Sequence, residues 1–159
     1  MKLTTKGRYA VTAILDLALH ETQGPTALAD ISTRQGISLS YLEQLFAKMR
    51  RSNLVTSIRG PGGGYQLSRA KSEITVVDIV DSVNESMNVT KCEGKGGCDH
   101  GEMCLTHELW NDLSEQINLY LRSISVQDLI NRPEILSLSA KQDQRALNHV
   151  ASIAISERI

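Results

Sequence analysis

Apolar residues recur at helical spacing along most of the chain. Ala10, Val11, Ile14, Leu15 and Ala18 form the stripe of a helix predicted over residues 4–21, with Thr4 or Thr5 as its cap. Lys6, Gly7, Arg8 and Tyr9 lie in its first turn. Gly24-Pro25 breaks the chain, and a short helix from about Ala27 to Gln35 turns Leu28 and Ile31 inward before Gly36 supplies a turn. Over residues 38–53, Leu42, Leu45, Phe46 and Met49 fall at i, i+3, i+4 and i+7, the signature of a buried face. Ser40 followed by Glu43 is a capping-box pattern, with Ser38 as the rival cap. The opposite face carries Ser40, Tyr41, Glu43, Gln44, Lys48 and Arg51.

The period then shortens. Leu54 to Arg59 and Tyr65 to Ser68 read as two strands around Gly60-Pro61-Gly62-Gly63-Gly64, a hairpin. A short helix, a glycine turn and a second amphipathic helix make a helix-turn-helix, and a hairpin directly after it is the wing of a winged helix. The second helix of that motif enters the DNA major groove with its N-terminal residues at base edges. Gln44 suits adenine; Glu43 suits cytosine N4 and repels phosphate, a filter against wrong sequences. The candidate DNA contacts are Ser38, Ser40, Tyr41, Glu43, Gln44 and Lys48 on the helix, Arg59 and Gly60 at the wing, and Arg8 and Tyr9 in the first helix. Arg59 is placed to reach phosphate or the minor groove. The glycine run lacks the following Lys-Ser or Lys-Thr of a phosphate-binding loop.

Further on, Thr75 with Asp78 caps a helix predicted from Val76 to Glu85. Thr106 caps a long one running to about Arg122. Leu109, Leu113, Ile117, Tyr120, Leu121 and Ile124 form a stripe that a small domain has no groove to cover, which points to a dimer contact about two heptads long. Ser125 with Asp128 caps a last short helix, closed by Pro133. Residues 134–159 are rich in Ser, Ala and Gln and read as a late helix or a mobile tail. The fold class expected is therefore mainly α with a small β-hairpin. It divides into a winged helix-turn-helix over 1–86, a ligand loop over 87–107, a dimerisation helix and short helix over 108–133, and a tail.

Charge sharpens the picture. The net charge of −1 hides a front half, residues 1–69, with nine Lys and Arg against four Asp and Glu, and a back half with eight against fourteen. A basic front suggests a polyanionic partner. No apolar run reaches bilayer length, so no membrane is implied. No secretory leader is evident, which together with an odd cysteine count argues for a reducing cytoplasm and against a disulfide framework. No nucleophile, base and orienting group stand out as a set, so an enzyme is not expected.

All three cysteines fall within KCEGKGGCDHGEMCLTH, residues 91–107, as Cys92, Cys98 and Cys104, with His107 three residues beyond the last. The spacing Cys-x5-Cys-x5-Cys-x2-His gathers soft ligands that suit zinc, an iron–sulfur cluster or Cu(I). Structural zinc sites usually hold cysteines two to four residues apart; longer, glycine-rich gaps suit a larger two-iron object. Cys104 and His107 are spaced to share one face of a first helical turn, which favours His107 over the mid-loop His100 as fourth ligand. Asp99 and Glu102 are harder alternatives. Ligand type alone leaves zinc and an iron–sulfur cluster equally open.

Four segments together, LTTKGRYAV at the start, the SLSYLEQLF helix, the RGPGGGY wing and the Cys-x5-Cys-x5-Cys-x2-His loop, closely resemble the IscR-like family of bacterial iron–sulfur cluster regulators over about residues 1–130. The resemblance implies a cytoplasmic, homodimeric transcription factor that binds double-stranded promoter DNA. It implies one 2Fe-2S cluster per subunit, held by Cys92, Cys98, Cys104 and His107 and delivered by the cluster-assembly machinery. It further implies that the loaded form represses assembly genes while the metal-free form still binds a second class of sites. The rival readings are a zinc-bound or nitric-oxide-sensing winged-helix regulator and, from another class, an iron–sulfur electron carrier, which would need neither wing nor basic front half.

Overall fold

A computed structural model describes residues 4–156. Helices α1 (Thr5–His20), α2 (Leu28–Gln35) and α3 (Leu39–Arg51) precede an antiparallel hairpin, β1 (Val55–Ile58) and β2 (Gly64–Leu67). Then come α4 (Val76–Ser82), α5 (His107–Arg122), α6 (Val126–Ile130) and α7 (Pro133–Ser156). The fold is mainly helical with one two-stranded hairpin, as the sequence pattern predicts.

The core forms around α1, whose small residues Ala10, Ala13 and Ala18 let neighbouring helices approach while Ile14 and Leu17 fill the centre. Ile31 of α2, Leu42, Leu45, Phe46 and Met49 of α3, and Ile79 of α4 close around it. Phe46 meets Tyr65 edge-on with ring centres 4.8 Å apart, which seats the hairpin on α3. The strands pair from Val55 with Leu67 to Ile58 with Gly64. Tyr65 also exchanges both backbone bonds with Thr26, at 2.8 and 2.9 Å, tying the hairpin to the segment before α2.

Several boundaries differ from expectation. Ser38, not Ser40, caps α3, its hydroxyl accepting the Tyr41 N–H. The α4 helix ends at Ser82 rather than Glu85, because Asn84 turns left-handed at φ 57°. The Thr75–Asp78 and Ser125–Asp128 capping boxes are both formed. Thr106 makes no side-chain cap at α5. Its hydroxyl instead accepts Nε1–H of Trp110 at 3.0 Å. Pro133 does not close α6; it opens α7, where a missing N–H costs nothing.

Residues 134–156 are thus a helix, not a mobile tail; the last three residues lie outside those described. The docking of α7 is polar. Gln142 and Gln35 bond amide to amide at 2.8 and 3.2 Å, and Asp143 meets His20 Nε2 at 2.9 Å. These contacts surround an ion pair in which Arg34 Nε and Nη2 both donate to the buried Asp16 carboxylate. An α7 that buries no apolar residue explains its weak hydrophobic periodicity.

Candidate metal centre and nucleic-acid face

The metal-binding candidate occupies the connection between α4 and α5. Its path is bent by left-handed backbone at Glu93, Gly94, Gly96, Gly97, His100 and Gly101, and closed by an exchange of backbone bonds between Asp99 and Glu102. Cys92 Sγ and Cys98 Sγ stand 3.4 and 3.5 Å from His107 Nδ1, and the three ligand atoms all lie within 4.8 Å of one another. His107 is the first residue of α5 and is 7% exposed.

Cys104 is placed differently from the expected shared helical turn. It precedes α5, its carbonyl accepting the His107 N–H at 3.0 Å. Its own N–H donates to Cys98 Sγ at 3.2 Å. All three thiols, His107 and Trp110 line one cavity of about 270 Å³. His100 points to solvent with its side chain 99% exposed, and Asp99 and Glu102 are exposed.

The thiols differ in acidity. Burial alone would raise Cys92, but N–H groups of Gly96 and Gly94, the Thr90 hydroxyl and the Cys98 thiol bring it down to about 7. The Cys104 N–H favours the Cys98 thiolate, yet the Cys104 side chain, burial and Cys92 outweigh it and push Cys98 up. Cys98 and Thr106 hydrogen bonds lower Cys104. Cys92 is therefore the thiol with thiolate character near neutral pH, with Cys104 shifted in the same direction and Cys98 in the opposite one.

A brace absent from the sequence reading holds the start of this loop. Asn88 Oδ1 accepts from Thr90 N at 2.8 Å and Thr90 Oγ1 at 2.6 Å. The Thr90 hydroxyl in turn accepts the Gly94 N–H at 2.6 Å. Ser114, buried two turns along α5 from His107, accepts the Val89 N–H at 2.9 Å, and its one proton is shared between the Trp110 carbonyl at 2.8 Å and Asn88 at 3.3 Å. Both ends of the loop are thus referenced to one helix. Two signals were present in the sequence: Asn two residues before Thr, an Asx-turn pattern, and a serine interrupting the inner face of α5.

The donor set fits a soft metal or cluster, with three thiols, one imidazole and flexible glycine turns. Two ligands bound to one tetrahedral ion at about 2.3 and 2.0 Å stand about 3.5 Å apart. The observed thiol–imidazole spacings match that value, so Cys92, Cys98 and His107 as placed suit a single ion. Ligands spread over two irons need wider spacing, which the left-handed glycine turns can give.

On the nucleic-acid side, Ser38, Ser40, Glu43 and Gln44 are exposed along the start of α3, with Tyr41 and Lys48 half-buried beside them. Arg59 and Gly60 are exposed at the hairpin tip, and Arg8 and Tyr9 on the first turns of α1. Tyr9 packs edge-on against Tyr41, ring centres 5.9 Å apart, so α1 and α3 present one continuous surface. Asp16 and Arg34 neutralise each other internally and leave the basic excess of the front half at the surface.

Comparison with known proteins resolves the family. Residues 3–132 match the profile of Rrf2, described as an iron-dependent transcriptional regulator. The chain belongs to the Rrf2 family. This Rrf2 protein is 57% identical over 143 residues to the HTH-type transcriptional regulator IscR of Photorhabdus laumondii, covering 90% of this chain and 87% of the relative. It is 53% identical over 159 residues to IscR of Erwinia tasmaniensis, covering 100% and 96%. Among solved structures it resembles T. potens IscR, with TM-score 0.68 and 37% identity over 82% of this chain and 86% of that one. It also resembles CymR, the global cysteine regulator of B. subtilis, with TM-score 0.71 and 33% identity over 81% and 95%. The Rrf2 chain is a transcriptional regulator of the IscR type, and these relatives are regulators rather than enzymes. Among the described residues no helix is long and apolar enough to cross a membrane.

Proposed function

We propose that this chain is a cytoplasmic, homodimeric sensor of iron–sulfur cluster status that binds promoter DNA and represses or activates cluster-assembly genes. Cys92, Cys98, Cys104 and His107 would hold one 2Fe-2S cluster per subunit, received from the assembly machinery. The supporting observation is the convergence of two thiols and a buried imidazole at the N-terminus of α5, with the third thiol in the same cavity. A bound cluster with one imidazole ligand carries less negative charge than an all-thiolate one and holds a ligand that a proton can displace, which suits an occupancy sensor. The chain's own contribution is to hold His107 on the helix whose apolar stripe, the exposed Leu109, Leu113 and Tyr120 with the half-buried Ile117 and Leu121, would form the dimer seam together with Ile124 just beyond the helix end. DNA contact would fall to Ser38, Ser40, Tyr41, Glu43, Gln44 and Lys48 of α3, Arg59 and Gly60 of the hairpin, and Arg8 and Tyr9 of α1.

A single zinc ion is the second reading, favoured by the 3.4 and 3.5 Å spacings around His107. One experiment separates them: a visible spectrum of anaerobically purified protein, with iron and sulfide assayed on the same sample. Colour with equal iron and sulfide, about two of each per chain, supports the cluster. A colourless protein holding stoichiometric zinc, and refusing reconstitution with iron and sulfide, overturns it. Trp110, in the cavity wall, gives an independent fluorescence signal for loading.

A further inference from the structure

Glu85 joins the end of α4, where the candidate metal loop departs, to the start of α1. It stands seven positions before Cys92, directly after the left-handed turn at Asn84 that ends α4. Its backbone N–H is held by the Val80 carbonyl at 3.3 Å, so its position follows α4. Its side chain is only 7% exposed and is turned onto the start of α1. There Oε2 accepts the Thr4 N–H at 3.1 Å, and Oε1 accepts the Thr4 hydroxyl. Lys6 Nζ lies 3.7 Å from Oε1 and donates to the Asn84 carbonyl at 3.2 Å. A carboxylate at that end of α1 also satisfies free N–H groups and complements the positive helix terminus.

On one side the chain from Glu85 to Cys92 has little slack. Ser86 Oγ accepts the Asn88 N–H at 3.2 Å, and Asn88 and Val89 are tied to Ser114 of α5. On the other side, the α1 turn that Glu85 caps carries Arg8 and Tyr9, and Tyr9 packs on Tyr41 of α3. Contact is therefore continuous from the loop before Cys92 to the helix that faces DNA.

We propose that Glu85 is a positioning residue that transmits the state of the metal loop to the DNA-reading face through the first turn of α1. The inference rests on the reading of the loop as a metal sensor. Rearrangement of residues 86–92 shifts or releases the carboxylate, and the first turn of α1 moves or frays with it, carrying Tyr9 against Tyr41. Fraying at a helix start involves only its terminal bonds, so such a change is accessible without unfolding the core.

The test uses full-length protein in metal-loaded and metal-free forms and one duplex, selected from random-sequence DNA by loaded wild-type protein. The readout is the ratio of the two affinities for wild type, Glu85→Gln and Lys6→Met. Metal content, visible spectrum and melting temperature are followed in parallel. Coupling through a single side chain predicts that Glu85→Gln moves the ratio toward unity by about threefold or more with metal content unchanged. Lys6→Met, which removes one partner and keeps the carboxylate, moves it less; should Glu85→Gln fail to fold, a shift by Lys6→Met toward unity sustains the inference and an unchanged ratio overturns it. An unchanged ratio in folded Glu85→Gln, or equal weakening of both forms, overturns this inference and leaves the sensor reading standing. A wild-type ratio of one overturns both.

Discussion

The Thr90 hydroxyl accepts the Gly94 N–H, and its single proton serves either Asn88 Oδ1 or the Cys92 thiolate two residues on. A hydroxyl in this position sets the reactivity of Cys92 as well as the shape of the turn. In metal-free protein at pH 7, Thr90→Val should raise the Cys92 pKa from about 7 toward its ordinary value and slow its alkylation about threefold, while Thr90→Ser keeps the wild-type rate. Mass-resolved labelling of the three cysteines reads this directly, and equal rates for Val and wild type would remove Thr90 from the account. Glu85 supplies the pH dependence. Burial alone would raise its carboxyl, but hydrogen bonds from Thr4, the charge of Lys6 and the Gly7 N–H hold it below its ordinary 4.5. A lowered carboxyl stabilises the fold above its unfolded value and loses that contribution as pH falls through the folded one. The melting-temperature gap between wild type and Glu85→Gln should therefore be constant above about pH 5 and close with acidification. A gap that persists in acid would mean the variant harms the fold for reasons other than charge.

Elements were legible where a local pattern and the tertiary environment agree. The stripe of α3 and the strand–glycine–strand hairpin are examples, as are the Thr75 and Ser125 caps, each backed by an Asp three residues on that closes the box. Thr106 has no such partner, and its hydroxyl is taken by Trp110. The segment of α7 could be read as either a late helix or a tail because amide and carboxylate contacts, not an apolar stripe, dock it, and no periodicity records a docking of that kind. At the candidate metal loop the three cysteines and His107 stood out from their chemistry. The brace through Asn88, Thr90 and Ser114 was not, because its members lie up to 26 residues apart. The hairpin makes a sharper demand. A Cβ on Gly64 would lie 2.3 Å from the Thr26 carbonyl oxygen, and both groups are backbone fixed by the Thr26–Tyr65 pairing. Gly62 is left-handed at φ +70° with nothing near it. Gly62→Ala should thus cost about 1 kcal/mol, from its backbone alone, and Gly64→Ala about 2–3 kcal/mol with loss of the hairpin's tie to Thr26, ahead of α2. Urea unfolding of the two variants ranks them; equal costs would mean the hairpin detaches freely from Thr26.

For the whole molecule, α5 is the element on which the two proposed activities meet. His107 and Ser114 face inward and hold the candidate metal loop, while Leu109, Leu113 and Tyr120 on the other side are 59%, 41% and 63% exposed. Residues two apart on a helix point nearly opposite ways, so one helix can hold a ligand and offer a seam without the two competing for space. A stripe of large apolar side chains left to water on a structured helix is the kind of patch that marks an interface. A winged helix that reads two half-sites gains affinity from being paired, because the second half-site is then bound at high effective concentration. Leu113→Lys places a charge in the middle of the seam and leaves both inner residues, His107 and Ser114, in place. The expected result is a protein of half the wild-type mass by sedimentation, with metal content unchanged and affinity for a two-half-site duplex reduced about tenfold or more. Wild-type mass in the variant would move the dimer contact off α5. Loss of metal together with mass would mean that the inner and outer faces of α5 are not independent, and that pairing of two chains is part of what holds the loop closed.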